Sequence, residues 1–135
     1  MIFHASLPAR EPERVARVLA ELTEGHITPF FRPNSFMAFG KDPTKIMIEV
    51  LPVDDKAFQA DGDARELYDS MHLAVGVDLT PEQVLAIGER EGWRTRRMTR
   101  GGGSFDVIEL WLEDHFMLEV LTPEMQADYL KGLRS

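Results

Sequence analysis

Two glutamates in this sequence stand where a carboxylate is hard to keep. Glu49 lies in Met47-Ile48-Glu49-Val50-Leu51, and Glu119 in Met117-Leu118-Glu119-Val120-Leu121. Both stretches read as short buried strands bounded by turn residues. A charged carboxylate inside such a strand is costly unless it is paired, hydrogen-bonded or bound to a metal. Its recurrence among nearly the same neighbours asks for one explanation of both. Two histidines recur with the glutamates: His4 and His72 are 68 residues apart, Glu49 and Glu119 are 70 apart. One imidazole and one carboxylate per copy make two nitrogen and two oxygen donors. That set suits Zn(II), Ni(II), Fe(II), Mn(II) or Co(II), with positions left for water or substrate. Taken singly, the histidines read as ordinary strand residues with satisfied hydrogen bonds, and the glutamates as partners of arginines. The repetition favours the metal.

The elements that position these residues also come twice. Ile2–Leu7 alternates as a strand, and Pro8 is expected to end it. Pro12 opens a helix whose Val15, Val18, Leu19 and Leu22 share one face, with Gly25 as its terminator. Strands are expected at about Ile27–Phe31, Ser35–Phe39 and Lys45–Leu51, with Arg32-Pro33-Asn34 and Gly40-Lys41-Asp42-Pro43 as turns. The order restarts with a strand over Met71–Asp78. Thr80 then reads as an N-cap, with Pro81 at the first helical position and Gln83 closing a capping box. Arg94–Thr99, Phe105–Glu113 and His115–Leu121 follow as strands. Gly101-Gly102-Gly103-Ser104 and Glu113-Asp114 are their hairpin turns, and Pro123 begins a last helix. The chain thus divides into a βαβββ module over 1–52, a polar linker over 53–70 with a helical turn near 64–68, a second module over 71–122 and a terminal helix over 123–135.

Strand parity sorts the faces. Ile48 and Val50, like Leu118 and Val120, belong under a helix, with Phe3, Ala5 and Leu7, or Leu73, Val75 and Val77, beside them. Glu49 and Glu119 then fall on the opposite face, with His4 and Ser6, or His72, Ala74 and Gly76. Small residues beside His72 leave room above the sheet.

The bulk composition excludes several classes. Twenty-three acidic residues against 15 basic give a formal net charge of −8 across 135 residues. A nucleic-acid or anionic-membrane binder needs the opposite sign. With no cysteine, disulfides, thiolate zinc sites, iron–sulfur clusters and cysteine nucleophiles are ruled out. No run approaches the roughly 18 apolar residues of a membrane span, and the N-terminus shows no leader, so a cytoplasmic protein is expected. The one basic cluster is Arg94, Arg96, Arg97 and Arg100. It reads either as a solvated strand face or as a clamp for a carboxylate or phosphate, with Arg94 and Arg96 on one face and Arg97 on the other. Trp111 shares parity with Glu109, which allows it a pocket position.

The doubled strand-helix-strand-strand-strand unit, with His and Glu on its first and last strands, resembles the vicinal oxygen chelate superfamily. Glyoxalase I, extradiol dioxygenases, fosfomycin-resistance enzymes and bleomycin-resistance proteins are members. The resemblance spans nearly the whole chain. It implies an α+β fold in which two βαβββ modules curl into a U-shaped, half-open barrel of mixed sheet around a divalent metal. The family's ligand positions are occupied here by His4, Glu49, His72 and Glu119. That set is similar to bacterial glyoxalase I, whereas fosfomycin-resistance enzymes and dioxygenases typically use two histidines and one glutamate. No glyoxalase I motif outside the ligands and no glutathione-binding loop is visible. The resemblance further implies a small-molecule substrate with neighbouring oxygens, an isomerase or lyase reaction in which Glu119 or Glu49 moves a proton, and a homodimer whose site is often shared between chains. The alternatives are an extradiol-type dioxygenase and a metal-free protein that sequesters a small ligand.

Overall fold

The computed structural model describes residues 2–55 and 72–134. Most of the expected linker, including the helical turn near 64–68, lies outside them. The chain divides into two compact units, Met1–Ser70 and Met71–Ser135.

The first unit runs β1 (Ala5–Ala9), α1 (Pro12–Leu22), β2 (His26–Pro29), β3 (Phe36–Phe39) and β4 (Met47–Pro52). Its sheet has the order β1-β4-β3-β2. The first and last strands are therefore neighbours, and they pair in parallel, with Ser6 opposite Glu49. The helix forms because its apolar residues recur at helical spacing. Val15, Val18, Leu19 and Leu22 are all buried, and α1 packs against β3 and β4. Ile48 and Val50 are buried as well.

The structure departs from three expectations. The first strand begins at Ala5 and runs through Pro8 rather than stopping before it. Proline is tolerated because β1 is an edge strand with a free side. Phe3 precedes the strand and is exposed instead of lying under the helix. Gly25 also acts differently from the expected terminator. The helix closes at Thr23, and the left-handed residue is Glu24, at φ 54°. Gly25 is needed for close approach, since a Cβ there would stand 1.8 Å from the Phe39 carbonyl oxygen.

The second unit repeats the plan with β5 (Leu73–Gly76), α2 (Pro81–Glu91), β6 (Thr95–Arg100), β7 (Phe105–Leu112), β8 (Phe116–Leu121) and α3 (Pro123–Arg134). The sheet order is β5-β8-β7-β6. Ala74 stands opposite Glu119, as Ser6 does opposite Glu49. Thr80 and Gln83 form the expected capping box, and Gly92 caps the C-terminus in the left-handed region. Glu113 and Asp114, both near φ 54°, turn the β7–β8 hairpin in the primed geometry that matches strand twist. Helix α3 is held by Gln126, whose amide donates to the carbonyls of Val77 and Leu121. Tyr129 meets Phe105 edge-on with ring centroids 4.9 Å apart. Among the described residues no helix is long and apolar enough to cross a membrane.

Candidate metal centre

Each unit brings together one imidazole and one carboxylate. His4 and His72 each occupy the residue just before a first strand. Each Glu lies in the adjacent last strand, so the parallel pairing sets the two side by side. His4 Nε2 is 3.5 Å from Glu49 Oε1, and His72 Nε2 is 3.3 Å from Glu119 Oε1. The glutamates are largely buried and the histidines about half exposed, equally in the two copies. These spacings are long for a charge-assisted hydrogen bond, which runs about 2.7–2.9 Å. Two donors bound about 2.1 Å from a tetrahedral ion stand about 3.4 Å apart. The pairs thus have the separation of co-ligands. Neither unit adds a third donor: among the described residues no three His, Asp or Glu side chains gather as a metal-binding group.

The two copies differ around the glutamate. The Ser6 hydroxyl donates to Glu49 Oε2 at 2.7 Å. The matching residue, Ala74, has no hydroxyl to offer Glu119. On the other flank, Met37 faces Glu49, whereas Glu109 faces Glu119.

Glu109 is the most buried charged side chain described, at 1% exposure. Its Oε1 accepts from Arg96 Nε at 3.0 Å and from the Trp111 indole N–H at 3.1 Å. Its Oε2 accepts from Arg100 Nη2 at 2.5 Å. Desolvation pushes the Glu109 carboxyl up. The Arg96 and Trp111 hydrogen bonds and the two guanidinium charges outweigh it, so the group is held below the ordinary glutamate value. Arg100 Nε also approaches Glu119 Oε1, at 3.8 Å. The Arg94 guanidinium lies 4.1 Å over the Trp111 ring, a cation–π contact.

Compared by sequence, the chain matches no family model. It matches no curated protein either. Compared by structure, it is similar to the fosfomycin resistance protein FosX from Mesorhizobium loti, with a TM-score of 0.61 and 15% identity over 96% of this chain and 97% of that one. It is also similar to a mutant FosX from Listeria monocytogenes, with a TM-score of 0.65 and 12% identity over 97% of both chains. That structure holds Mn(II) and 1S,2S-dihydroxypropylphosphonic acid. The oxidase ChaP-H2 is a more distant likeness, with a TM-score of 0.51 and 14% identity over 90% of this chain and 92% of that one. The chain has the vicinal oxygen chelate fold.

Within the vicinal oxygen chelate fold, all four expected residues stand on the first and last strands of their units or one residue before them. What sequence reasoning missed is Glu109 as the centre of a charge network. A signal was present. A hairpin closing at Arg100 and Phe105 places Arg96 opposite Glu109, and that is the observed register.

Proposed function

We propose that the protein is a metalloenzyme of glyoxalase type, an isomerase or lyase acting on a small substrate that presents two neighbouring oxygens to a divalent cation. His4, Glu49, His72 and Glu119 hold the cation. His4 with Glu49 supplies one nitrogen and one oxygen donor, and His72 with Glu119 supplies the same. The observation that carries the reading is the repeated His–Glu pair, in the same strand register twice and at co-ligand spacing both times. The donor chemistry fits a borderline divalent ion of the zinc, nickel, iron, manganese or cobalt group. Such an ion would supply Lewis-acid stabilisation of negative charge developing on the substrate oxygens.

The residues divide the remaining work. Ser6 ties one oxygen of Glu49 in place, which makes Glu49 the fixed member. No hydroxyl stands at the Ala74 position to do the same for Glu119. Glu119 is therefore the residue that takes a proton from the substrate carbon and returns it to the neighbouring one. The Mn(II) in the similar Listeria protein supports a metal in this fold.

A second reading rests on Arg100. Its approach to Glu119 supplies a positive charge beside that carboxylate without any ion, as a metal-free protein sequestering a small ligand would require. The likeness to an oxidase supports the dioxygenase alternative only at the level of the fold. Metal-loaded protein tested on hemithioacetals, catechols and cationic drugs separates the three. Turnover of a hemithioacetal, abolished by Glu119→Gln and by chelator, is the expected result. Tight binding of a drug by chelator-treated protein, with no turnover of any substrate, overturns the enzyme reading.

A further inference from the structure

Among the described residues, the first unit has no buried carboxylate at the place of Glu109. The position matching Glu109 is Met37, and the one matching Arg96 is Thr28. The Glu109 cluster therefore serves something other than the shared fold. Two guanidiniums converge on the buried Glu109 carboxylate, and Arg100 also reaches Glu119, so two cations face two anions. Glu109 is 1% exposed, while the Arg96 and Arg100 side chains are 57% and 34% exposed. The anion sits in the sheet and its cations reach outward. Arg96 is pinned through Nε, and among the described residues its two terminal nitrogens have no acceptor. The opposite face of the same hairpin carries a separate ion pair. There Arg97 pairs one-to-one with Asp106, Nε to Oδ2 at 2.9 Å.

We infer that Arg96 and Arg100, positioned by Glu109, form an oxyanion subsite on the second sheet that takes the carboxylate of a small substrate. A planar group with two acceptor oxygens matches the guanidinium edge that Arg96 turns outward. Exposed Ala74 beside Glu119 leaves the space around it open. Arg100 lies between Glu109 and Glu119, so the bound carboxylate sits next to the His72–Glu119 pair. The inference thus names a substituent of the substrate proposed above. It rests on that reading for the metal, but the test runs without metal.

The test titrates chelator-treated, full-length protein with glycolate, and separately with inorganic phosphate, following the Arg96 Nε–H and Trp111 indole N–H signals by nitrogen-15 NMR. Saturable glycolate shifts at both signals are expected. Arg96→Gln and Arg100→Gln each weaken binding at least about tenfold, the loss expected for one hydrogen bond to a charged group. Arg96→Lys, which keeps the charge and removes the fork, weakens it too. Arg97→Gln, on the opposite face, leaves it unchanged. Absence of saturable shifts in the wild type, or equal affinity in Arg96→Lys and the wild type, overturns the subsite. Saturation by phosphate but not by glycolate overturns the carboxylate. Failure of the metal reading appears elsewhere, as wild-type protein that takes up no divalent metal while still binding glycolate.

Discussion

Glu109 and Glu119 are cross-strand partners on β7 and β8, and Arg100 reaches both carboxylates. Like charges directly opposite each other weaken a sheet. The bridging guanidinium removes that repulsion and leaves Glu119 beside His72. The second sheet therefore carries acid, imidazole and guanidinium on one face, where the first carries acid, imidazole and hydroxyl.

Removing the bridge leaves two facing carboxylates. Arg100→Gln is expected to destabilise the protein by about 1.5–3 kcal/mol, the range for a hydrogen bond to a charged group. Arg96 and the Trp111 indole still donate to Glu109 Oε1, which limits the loss, while Oε2 loses its donor. Urea unfolding at neutral pH reads it.

Acid should act through Glu109. Its carboxyl is held below the ordinary value of 4.5, so the folded state binds its proton less readily than the unfolded chain does. The stability this contributes is present above about pH 4.5 and is lost as pH falls through the lower folded value. Glu109→Gln is expected to be less stable than the wild type at neutral pH and to lose less on acidification below 4.5. Thermal unfolding of both proteins across pH 3–7 checks the crossing trend.

Ser6 and Ala74 offer a reciprocal test. A residue that orients a metal ligand typically changes affinity about 10–100-fold when removed. Ser6→Ala is expected to weaken divalent metal binding by about that factor while leaving the fold intact. Competition with a coloured chelator measures it. Ala74→Ser should tie Glu119 as Glu49 is tied, and turnover should fall with metal content unchanged.

Gly25→Ala tests a packing constraint. The new Cβ would meet backbone atoms of Phe39 and Gly40, which no side-chain rotation relieves. A loss of about 3 kcal/mol or more is expected, at the upper end of overpacking, read by denaturant unfolding.

The repeat and the His–Glu pairs were legible because they rest on period-two alternation and fixed offsets, which strands preserve. The capping box at Thr80 was legible for the same local reason. Pro8 was misleading, because its place in a strand depends on β1 being an edge, and only the sheet order β1-β4-β3-β2 reveals that. Gly25 misled because its role is a contact with a strand fourteen residues on rather than the local helix end. Glu109 stayed hidden because its partners lie nine and thirteen residues away, across a hairpin whose register had to be counted. Parity alone put Arg96 on one face and Arg97 on the other, as observed.

The proposed function rests on the two matching His–Glu pairs binding divalent metal. Metal analysis of protein purified without chelators, for the wild type and for His4→Ala, Glu49→Gln, His72→Ala and Glu119→Gln, tests it most directly. About one equivalent of a transition-series ion per site is expected in the wild type, with a marked loss in every variant. Metal content unchanged in both His4→Ala and His72→Ala, or no metal in the wild type after loading, would contradict it.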